Sequence, residues 1–217
     1  MPLGLLSNRH TSAAAGAILV YGLTLQCVPY LLTLHFQDVL GYDALRSGLA
    51  FLGPTLGITA GNLAAERLIP HLGLRGTLVL SLVTGAAGTA LLASSLSAGG
   101  SCPALLPGLV GFGLGVGLSF NTMFILASTG VAPHEQGAVS GLASTVLQAG
   151  SGAGLAVLVA VAGHGATGPA GETLRATATA ADGLRLAVLT AAAVAVTGVA
   201  AALAVPRGPR SRRRAGV

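Results

Sequence analysis

Long apolar stretches alternate with short polar ones along the whole chain. A helix of about 20 residues crosses a bilayer, because each residue adds about 1.5 Å along a hydrocarbon core of roughly 30 Å. Six stretches reach this length, and we expect helices near residues 11–34, 46–67, 76–96, 103–128, 137–162 and 184–205. The pattern predicts six membrane-spanning helices rather than a soluble domain.

Acidic residues keep to the gaps and ends of these predicted helices. Only 8% of the residues are charged and 53% are hydrophobic, whereas soluble domains carry about 25% charged residues. A charge inside hydrocarbon is costly, and backbone polar groups there must be paired within the segment, which excludes open strands. We therefore expect an all-α membrane protein, with acids only between or at the ends of helices: Asp38, Asp43, Glu66, Glu135, Glu172 and Asp182.

The basic residues predict the orientation of the chain. All eleven are arginine, and the chain is also rich in alanine and glycine, which is typical of a GC-rich bacterial genome. Eight arginines fall on the side of the two termini, against Arg46, Arg175 and Arg185 on the other side. The excess of positive charge marks the cytoplasmic side. We expect a multi-pass protein of the bacterial plasma membrane with both termini cytoplasmic.

This topology divides the chain into three parts. Residues 1–10 form a cytoplasmic N-terminal segment, residues 11–205 form the six-helix transmembrane domain, and residues 206–217 form a cytoplasmic tail rich in arginine. Residues 163–183 are polar and rich in Gly, Thr and Ala, which is typical of an external connecting loop.

Glycines and prolines mark where the predicted helices pack or bend. Small residues spaced along one helix face allow two backbones to approach closely, so we expect packing seams at these glycines: Gly111, Gly113, Gly115, Gly117, Gly137, Gly141, Gly150 and Gly154. Pro29 and Pro54 each remove one helical hydrogen bond and predict kinks in the first two helices. Each kink is either static or a hinge.

The sequence carries no pattern of an enzyme. It has no nucleotide-binding loop, no spacing of metal ligands and no nucleophile beside a base, and the two cysteines, Cys27 and Cys102, form no CxxC pair. We expect them to be small apolar side chains. The histidines lie at helix ends or in loops, where we expect them to be solvated: His10, His35, His71, His134 and His164. The chain is therefore not expected to be an enzyme, to hold a cofactor or metal, or to bind nucleic acid.

Three segments resemble one family of transporters. Residues 31–54, LLTLHFQDVLGYDALRSGLAFLGP, are similar to a YLQxxLGYSPLxAGLxxLP-like run, with His35 and Phe36 in place of Tyr and Leu. Residues 140–157 are similar to an SGLxxTxRQxGGAxGxAV helix, with Leu147 in place of arginine, and residues 111–120 match a weaker glycine pattern. These runs occur in this order in the fourteen-helix drug:proton antiporters of the major facilitator superfamily.

The resemblance implies the C-terminal six-helix half of such a transporter, built from two inverted three-helix repeats. On this interpretation the helices of the N-terminal half are missing from the chain. Residues 61–75 occupy the position of the loop by which the superfamily locks one face closed. Glu66, Arg67 and Arg75 are similar to its charged positions. They are either a gating loop or ordinary cytoplasmic arginines with a neighbouring acid.

The resemblance also implies which helices face a substrate cavity, namely the first, second, fourth and fifth. The amides inside the predicted helices follow this division: Gln26, Asn62, Asn121 and Gln148. An amide is expensive against lipid, so it faces either water and substrate or another helix. For Asn62 we favour a bond between helices, whereas for the other three both alternatives stay open. Aromatic residues on the same helices either line the cavity or pack: Tyr21, Tyr30, Phe120 and Phe124.

The predicted function is transport across a membrane. The resemblance implies half of a secondary active, proton-coupled exporter of drugs or other small molecules, with a cavity formed by Gln26, Tyr30, Asn121, Phe124 and Gln148. The expected partners are the lipid bilayer, a small amphipathic substrate, protons, and either the missing N-terminal half or a second copy. The alternative is a truncated remnant or accessory membrane subunit that does not transport.

Overall fold

The computed structural model describes the backbone of residues 9–96, 102–164 and 173–203, and the side chains of residues 11–96, 105–162 and 182–198. In these ranges the chain is helical and contains no strand. The predicted segments 1–10 and 206–217 and most of the predicted loop 163–183 lie outside the described side chains. Predictions about them stay predictions.

The first predicted span is a broken helix. Helix α1 covers Arg9–Leu23 and α2 covers Val28–Leu34, and a π-helical segment, His35–Val39, continues from α2. Pro29 lies in the first turn of α2, where the missing N–H is tolerated. The proline therefore follows a full break in the helix rather than a bend.

The second and third predicted spans lie in one long helical stretch. Helix α3 covers Ala44–Ala50, and the Oδ1 atom of its N-cap, Asp43, accepts a hydrogen bond from the Arg46 N–H at 2.7 Å. Helix α4 covers Leu52–Ser95 and is interrupted at Gly73, whose φ of 72° is non-helical. A side chain would be strained in that conformation, so glycine is required there.

Three further helices complete the described structure. Helix α5 covers Cys102–Ser128, a 3₁₀ turn covers Pro133–Glu135, α6 covers Gln136–His164 and α7 covers Thr173–Leu203. Four stretches of the described residues are long and apolar enough to cross a membrane: Thr11–Val39, Ala44–Ser95, Leu105–Ser128 and Pro133–Ala162. The structure thus confirms an all-helical chain with membrane-spanning potential. Six spans and the inverted repeats stay predictions.

Helix α5 packs most extensively against α4 and lies between the parts of α4 on either side of Gly73. On one side Gly57 faces the α5 backbone so closely that an added Cβ would lie 2.6 Å from the Val110 carbonyl oxygen. On the other side Gly85 and Gly115 lie directly against each other. The predicted glycine seam of this helix is confirmed.

The glycines of α6 behave differently from one another. Gly150 and Gly154 face the backbone of α1, at Leu19 and Leu23, so this predicted seam is confirmed. Gly137 and Gly141 are exposed, and a Cβ added to either would meet nothing within 4 Å. The predicted seam at these two glycines is wrong within this chain, because their side of α6 has no neighbouring helix among the described residues.

Candidate functional site

The break between α1 and α2 lies at the middle of the span Thr11–Val39. The Thr24 and Gln26 N–H groups both donate to the Tyr21 carbonyl oxygen, at 3.3 and 3.1 Å. Pro29 has no N–H and so cannot donate to a carbonyl in the preceding turn. Non-helical backbone at membrane depth is tolerated where it is buried in protein or lines a cavity.

Helix α6 packs directly against this break. The Cys27 thiol lies 3.3 Å from the Gly22 carbonyl oxygen and 3.4 Å from the Ser151 carbonyl oxygen on α6. A Cβ added to Gly22 would lie 2.7 Å from the Leu147 carbonyl oxygen. The buried Cys27 is thus a small side chain, as predicted, and it also joins the broken helix to α6.

Two predicted cavity residues lie on the elements that form this contact. Gln26 lies in the break and is exposed, whereas Cys27 beside it contacts Ser151. Gln148 is also exposed, precedes Ser151 by about one helical turn, and lies at the middle of the span Pro133–Ala162. The structure therefore places both amides at mid-span depth on elements that touch.

Phe124 is connected to the same region through aromatic rings, and Asn121 lies on the same helix. The Tyr21 ring lies 6.5 Å from that of Phe120, and the Phe120 ring lies 5.0 Å from that of Phe124. Asn121 and Phe124 are both half-buried on α5. Tyr30 is on α2, is 46% exposed and has no aromatic ring contact among the described residues.

None of the amides predicted inside helices ties two helices together in the described structure. The side chains of Gln26, Asn121 and Gln148 have no hydrogen-bond partner among the described residues, and neither has Asn62, where we expected one. The side-chain bonds that do join helices in the described structure use other groups: the Cys27 thiol bonds to the Ser151 carbonyl oxygen, and the Ser119 hydroxyl donates to that of Ser81 at 2.9 Å. The involvement of the amides in substrate binding stays a prediction.

The exposed surface of α6 is unlike that of the other helices. From residue 136 to residue 156 its exposed residues are small or polar, and large exposed apolar side chains begin only at Val157. Six of these residues share one side of the helix, and we call them the α6 polar face: Gly137, Gly141, Ser144, Thr145, Gln148 and Gly152. Such a surface is a poor match for lipid chains and a good match for water or another protein.

Helices α3 and α4 present the opposite kind of surface. Leucines recur on one side of these helices and are 57% to 73% exposed. We name them the α3–α4 leucine face: Leu45, Leu49, Leu52, Leu56 and Leu63.

The predicted gating residues lie on either side of the interruption in α4. Glu66 and Arg67 are exposed, Arg75 is half-buried, and Gly73 stands between them. They form no ion pair with one another in the described structure. The gating loop therefore stays a prediction, with ordinary cytoplasmic charges as its alternative.

His35 contradicts the sequence prediction that it is solvated. It begins the π-helical segment and is 1% exposed, and neither ring nitrogen has a hydrogen-bond partner among the described residues. His71 and His134 are exposed, as predicted. Sequence reasoning missed His35 because it took a helix end to be a solvated position, whereas here the helix continues as a π-turn packed against α3 and α7.

Comparison with known proteins decides the family. Residues 3–155 match the model of the Major Facilitator Superfamily, which is most of the chain. The chain belongs to the Major Facilitator Superfamily. The resemblance recognised in the sequence is confirmed, and the chain is a member of a family of membrane transporters.

Relatives of this superfamily member include proteins of antibiotic resistance and export. It is 34% identical to the puromycin resistance protein pur8 of Streptomyces alboniger over 167 residues, and this alignment covers 73% of the chain. It is 34% identical over 162 residues to the cephamycin export protein CmcT of Amycolatopsis lactamdurans, covering 72% of the chain. It is also 28% identical over 165 residues to the MFS-type transporter EfpA of Mycobacterium tuberculosis, covering 74% of the chain.

The match covers only part of each relative. The aligned region is 32% of pur8, 32% of CmcT and 31% of EfpA. The chain thus spans about a third of the length of these relatives.

Proposed function

We propose that this chain is one half of a secondary active exporter of small amphipathic molecules and supplies one wall of a cavity near the middle of the membrane. The observation that carries the proposal is the pair of exposed amides, Gln26 and Gln148, at the middle of two spans that touch. Transporters of this kind bind substrate near the bilayer midplane, at interrupted helices. The break that contains Gln26 is such an interruption.

The two contrasting surfaces support this arrangement. The α6 polar face would line the cavity or meet a second half, and the α3–α4 leucine face would meet lipid chains. Polar side chains in hydrocarbon are costly unless they face water or another protein. The second half would come either from the part of the fold that the aligned third of the relatives does not include or from a second copy of the chain.

Six spans in two inverted repeats are part of the proposal. The interruption at Gly73 would divide Ala44–Ser95 into two spans, and α7 would supply the sixth. With Glu66, Arg67 and Arg75 beside that interruption, the positive-inside rule places the loop in the cytoplasm. Both termini would then be cytoplasmic, in the plasma membrane of a bacterium.

The substrate class rests on the chemistry of the wall. The Phe120 ring is 45% exposed and contacts that of Phe124, and Gln26 and Gln148 supply exposed amides. A molecule with an apolar body and polar groups would fit both. The names of the relatives, puromycin resistance and cephamycin export, agree with efflux of such molecules. Proton coupling is the mode that the resemblance implies.

The experiment is reconstitution into lipid vesicles. The chain is tested alone and together with the complementary part of pur8, and efflux of an amphipathic fluorescent dye is followed under a proton gradient. Alternating access needs two halves moving about a shared site, so we expect no transport by the chain alone and transport with the complement. In the pair, Gln26→Leu and Gln148→Leu should change the rate or dye preference without lowering the amount of protein.

The other outcomes separate the alternatives. Transport by the chain alone would favour a dimer of two copies over a missing half. A correctly assembled pair that moves no substrate would favour the remnant or accessory subunit. Normal transport by both leucine variants would remove Gln26 and Gln148 from the cavity.

A further inference from the structure

His35 is a buried polar side chain whose hydrogen bonds are unmet. An imidazole ring carries at least one N–H donor and, when neutral, one acceptor. Both ring nitrogens of His35 are buried, and neither has a partner among the described residues. Buried polar groups in native proteins nearly always have a partner, so an exception requires a physical explanation.

The backbone at His35 is also unusual. Residues His35–Val39 form a π-helical segment, and π-helical turns are rare and occur frequently at functional sites. The segment is followed by a fold-back in which the Tyr42 N–H donates to the Phe36 carbonyl oxygen at 2.8 Å. The Phe36 ring stacks on Tyr42 at 6.1 Å and meets Phe51 edge-on at 5.9 Å. His35 thus adjoins an aromatic contact that holds the segment against the chain that follows.

A second unmet group lies on a neighbouring element. The Ser47 hydroxyl is buried without a partner on α3, which packs against the π-helical segment. Most other buried hydroxyls bond to a carbonyl one turn back, as Thr24 does to Val20 at 2.6 Å and Thr89 to Gly85 at 2.7 Å. Two unmet polar groups thus lie on touching elements at this end of the span, and an arrangement that exposed them to water would satisfy both.

Among the described side chains, none supplies a counter-charge bonded to His35 in the packed arrangement. The π-helical segment packs against α2, α3 and α7. The charged or titratable side chains described on it and on these helices are all exposed: Tyr30, Asp38, Asp43, Arg46, Asp182 and Arg185. An isolated buried charge is costly. A proton on His35 would therefore favour an arrangement in which the ring reaches water or a partner.

We propose that His35 is a proton-binding site of this half, neutral while the segment His35–Val39 is packed and protonated when that segment opens. The proposal rests on the proposed function, because it makes His35 the group through which protons act on transport. It also fits the sequence, whose acids keep to helix ends and loops.

Nuclear magnetic resonance of the purified chain in detergent tests the protonation step without transport. The histidine and tyrosine rings carry ¹³C, and spectra are followed from mildly alkaline to mildly acidic pH. Tyr42 reports on the packed segment because its ring stacks on Phe36. We expect the His35 and Tyr42 signals to shift with a common midpoint. The Tyr42 shift should be lost in H35Q and retained in H71Q, which alters an exposed histidine.

Two results would overturn the proposal. One is a Tyr42 signal that does not move while the chain stays folded, and the other is a Tyr42 shift that H35Q leaves unchanged. Size-exclusion chromatography shows whether each variant is folded. If H35Q is not, H35Y takes its place, because tyrosine is the residue that the resemblance gives at this position.

Transport by the chain and its complement separates this proposal from the proposed function. H35Q should lose the acceleration of efflux by a proton gradient, yet still exchange labelled for unlabelled dye without a gradient. Equal acceleration in H35Q and the unmodified protein would overturn the role of His35 and leave the exporter intact. If the unmodified protein transports dye but does not respond to a proton gradient, proton coupling in the proposed function is contradicted. The role of His35 in transport is then contradicted as well.

Discussion

The α6 polar face and the α3–α4 leucine face are both exposed, but they have opposite compositions. The first carries Gly, Ser, Thr and Gln at one side of its helix, and the second carries five leucines at the same kind of spacing. Both sets recur every three to four residues, which places each on a single helix face. On the proposed function, the leucine face meets lipid and the polar face meets water or a second half, so exposed surface in this chain would have two different roles.

The two faces also differ in what lies behind them. Behind the α6 polar face, Gly150 and Gly154 bring α6 onto the backbone of α1 beside the break. Behind the α3–α4 leucine face, Gly57 and Gly61 bring α4 onto α5. Each face is thus held by a glycine seam, and the polar face lies beside the break between α1 and α2.

The largest expected effect comes from a charge placed on each face. Leu56→Arg puts an arginine near the middle of the predicted span 46–67, where hydrocarbon should cost it about 3 kcal/mol, on the order of a hundredfold in the folded fraction. Gln148→Arg should cost much less, because α6 would face water. Thermal unfolding in lipid vesicles measures both variants. Equal losses would erase the distinction between the faces.

The next effect concerns the seam behind the polar face. A side chain at Gly154 would meet the backbone of Leu23, so Gly154→Val should destabilise the fold by about 2 kcal/mol through overpacking. Gly152→Val is the matched control, since an added Cβ there meets nothing within 4 Å. Comparable melting temperatures for the two variants would contradict the close contact between α1 and α6.

Thiol labelling reports directly on water at each face. In a background without Cys27 and Cys102, cysteine at Gln26, Asn121 or Gln148 should react with a membrane-impermeant reagent once the complementary half is present. Cysteine at Leu56 should react roughly tenfold more slowly, because thiolate formation needs water. Labelled protein is quantified by mass spectrometry. Protection of all three amide positions would mean that they pack against the second half instead of lining a cavity.

The smallest effect is expected at the bond between Ser119 and Ser81. Ser119→Ala removes the 2.9 Å hydrogen bond between the Ser119 and Ser81 hydroxyls, which joins α5 to α4. Bonds of this kind contribute about 0.6 kcal/mol to the stability of membrane proteins, which is roughly threefold in the folded fraction. Ser144→Ala on the α6 polar face should have no measurable effect in the isolated chain. A double-mutant cycle with Ser81→Ala isolates the bond, and a coupling of zero would show that it does not contribute.

Much of the fold could be predicted from apolar length alone. The first predicted span covers α1 and α2 with the break between them, the next two fall on α3 and α4, and the last three fall on α5, α6 and α7, with ends that differ by a few residues. The seams at Gly113, Gly115, Gly150 and Gly154 were also predictable, since small residues repeat along one face. The seam predicted at Gly137 and Gly141 fails because spacing shows that a face is small without showing whether a helix lies against it.

The candidate site was only partly predictable. Sequence picked out Gln26 and Gln148, because amides in apolar helices are rare enough to notice, but it could not show that the elements carrying them contact each other. That contact depends on Gly22 and Cys27 in the break and on Ser151 in α6, which are far apart along the chain.

The sequence by itself determined a chain of membrane-spanning helices, because long uncharged stretches leave helices as the only backbone that hydrocarbon accepts. The resemblance to the Major Facilitator Superfamily came separately, from three short segments. Only the tertiary structure decided the environment of single side chains. His35 is buried because the π-helical segment packs against α3 and α7, whereas Gln148 is exposed because no described helix covers its side of α6. Burial is a property of neighbours brought together from distant parts of the chain, and local patterns of hydrophobicity do not contain it.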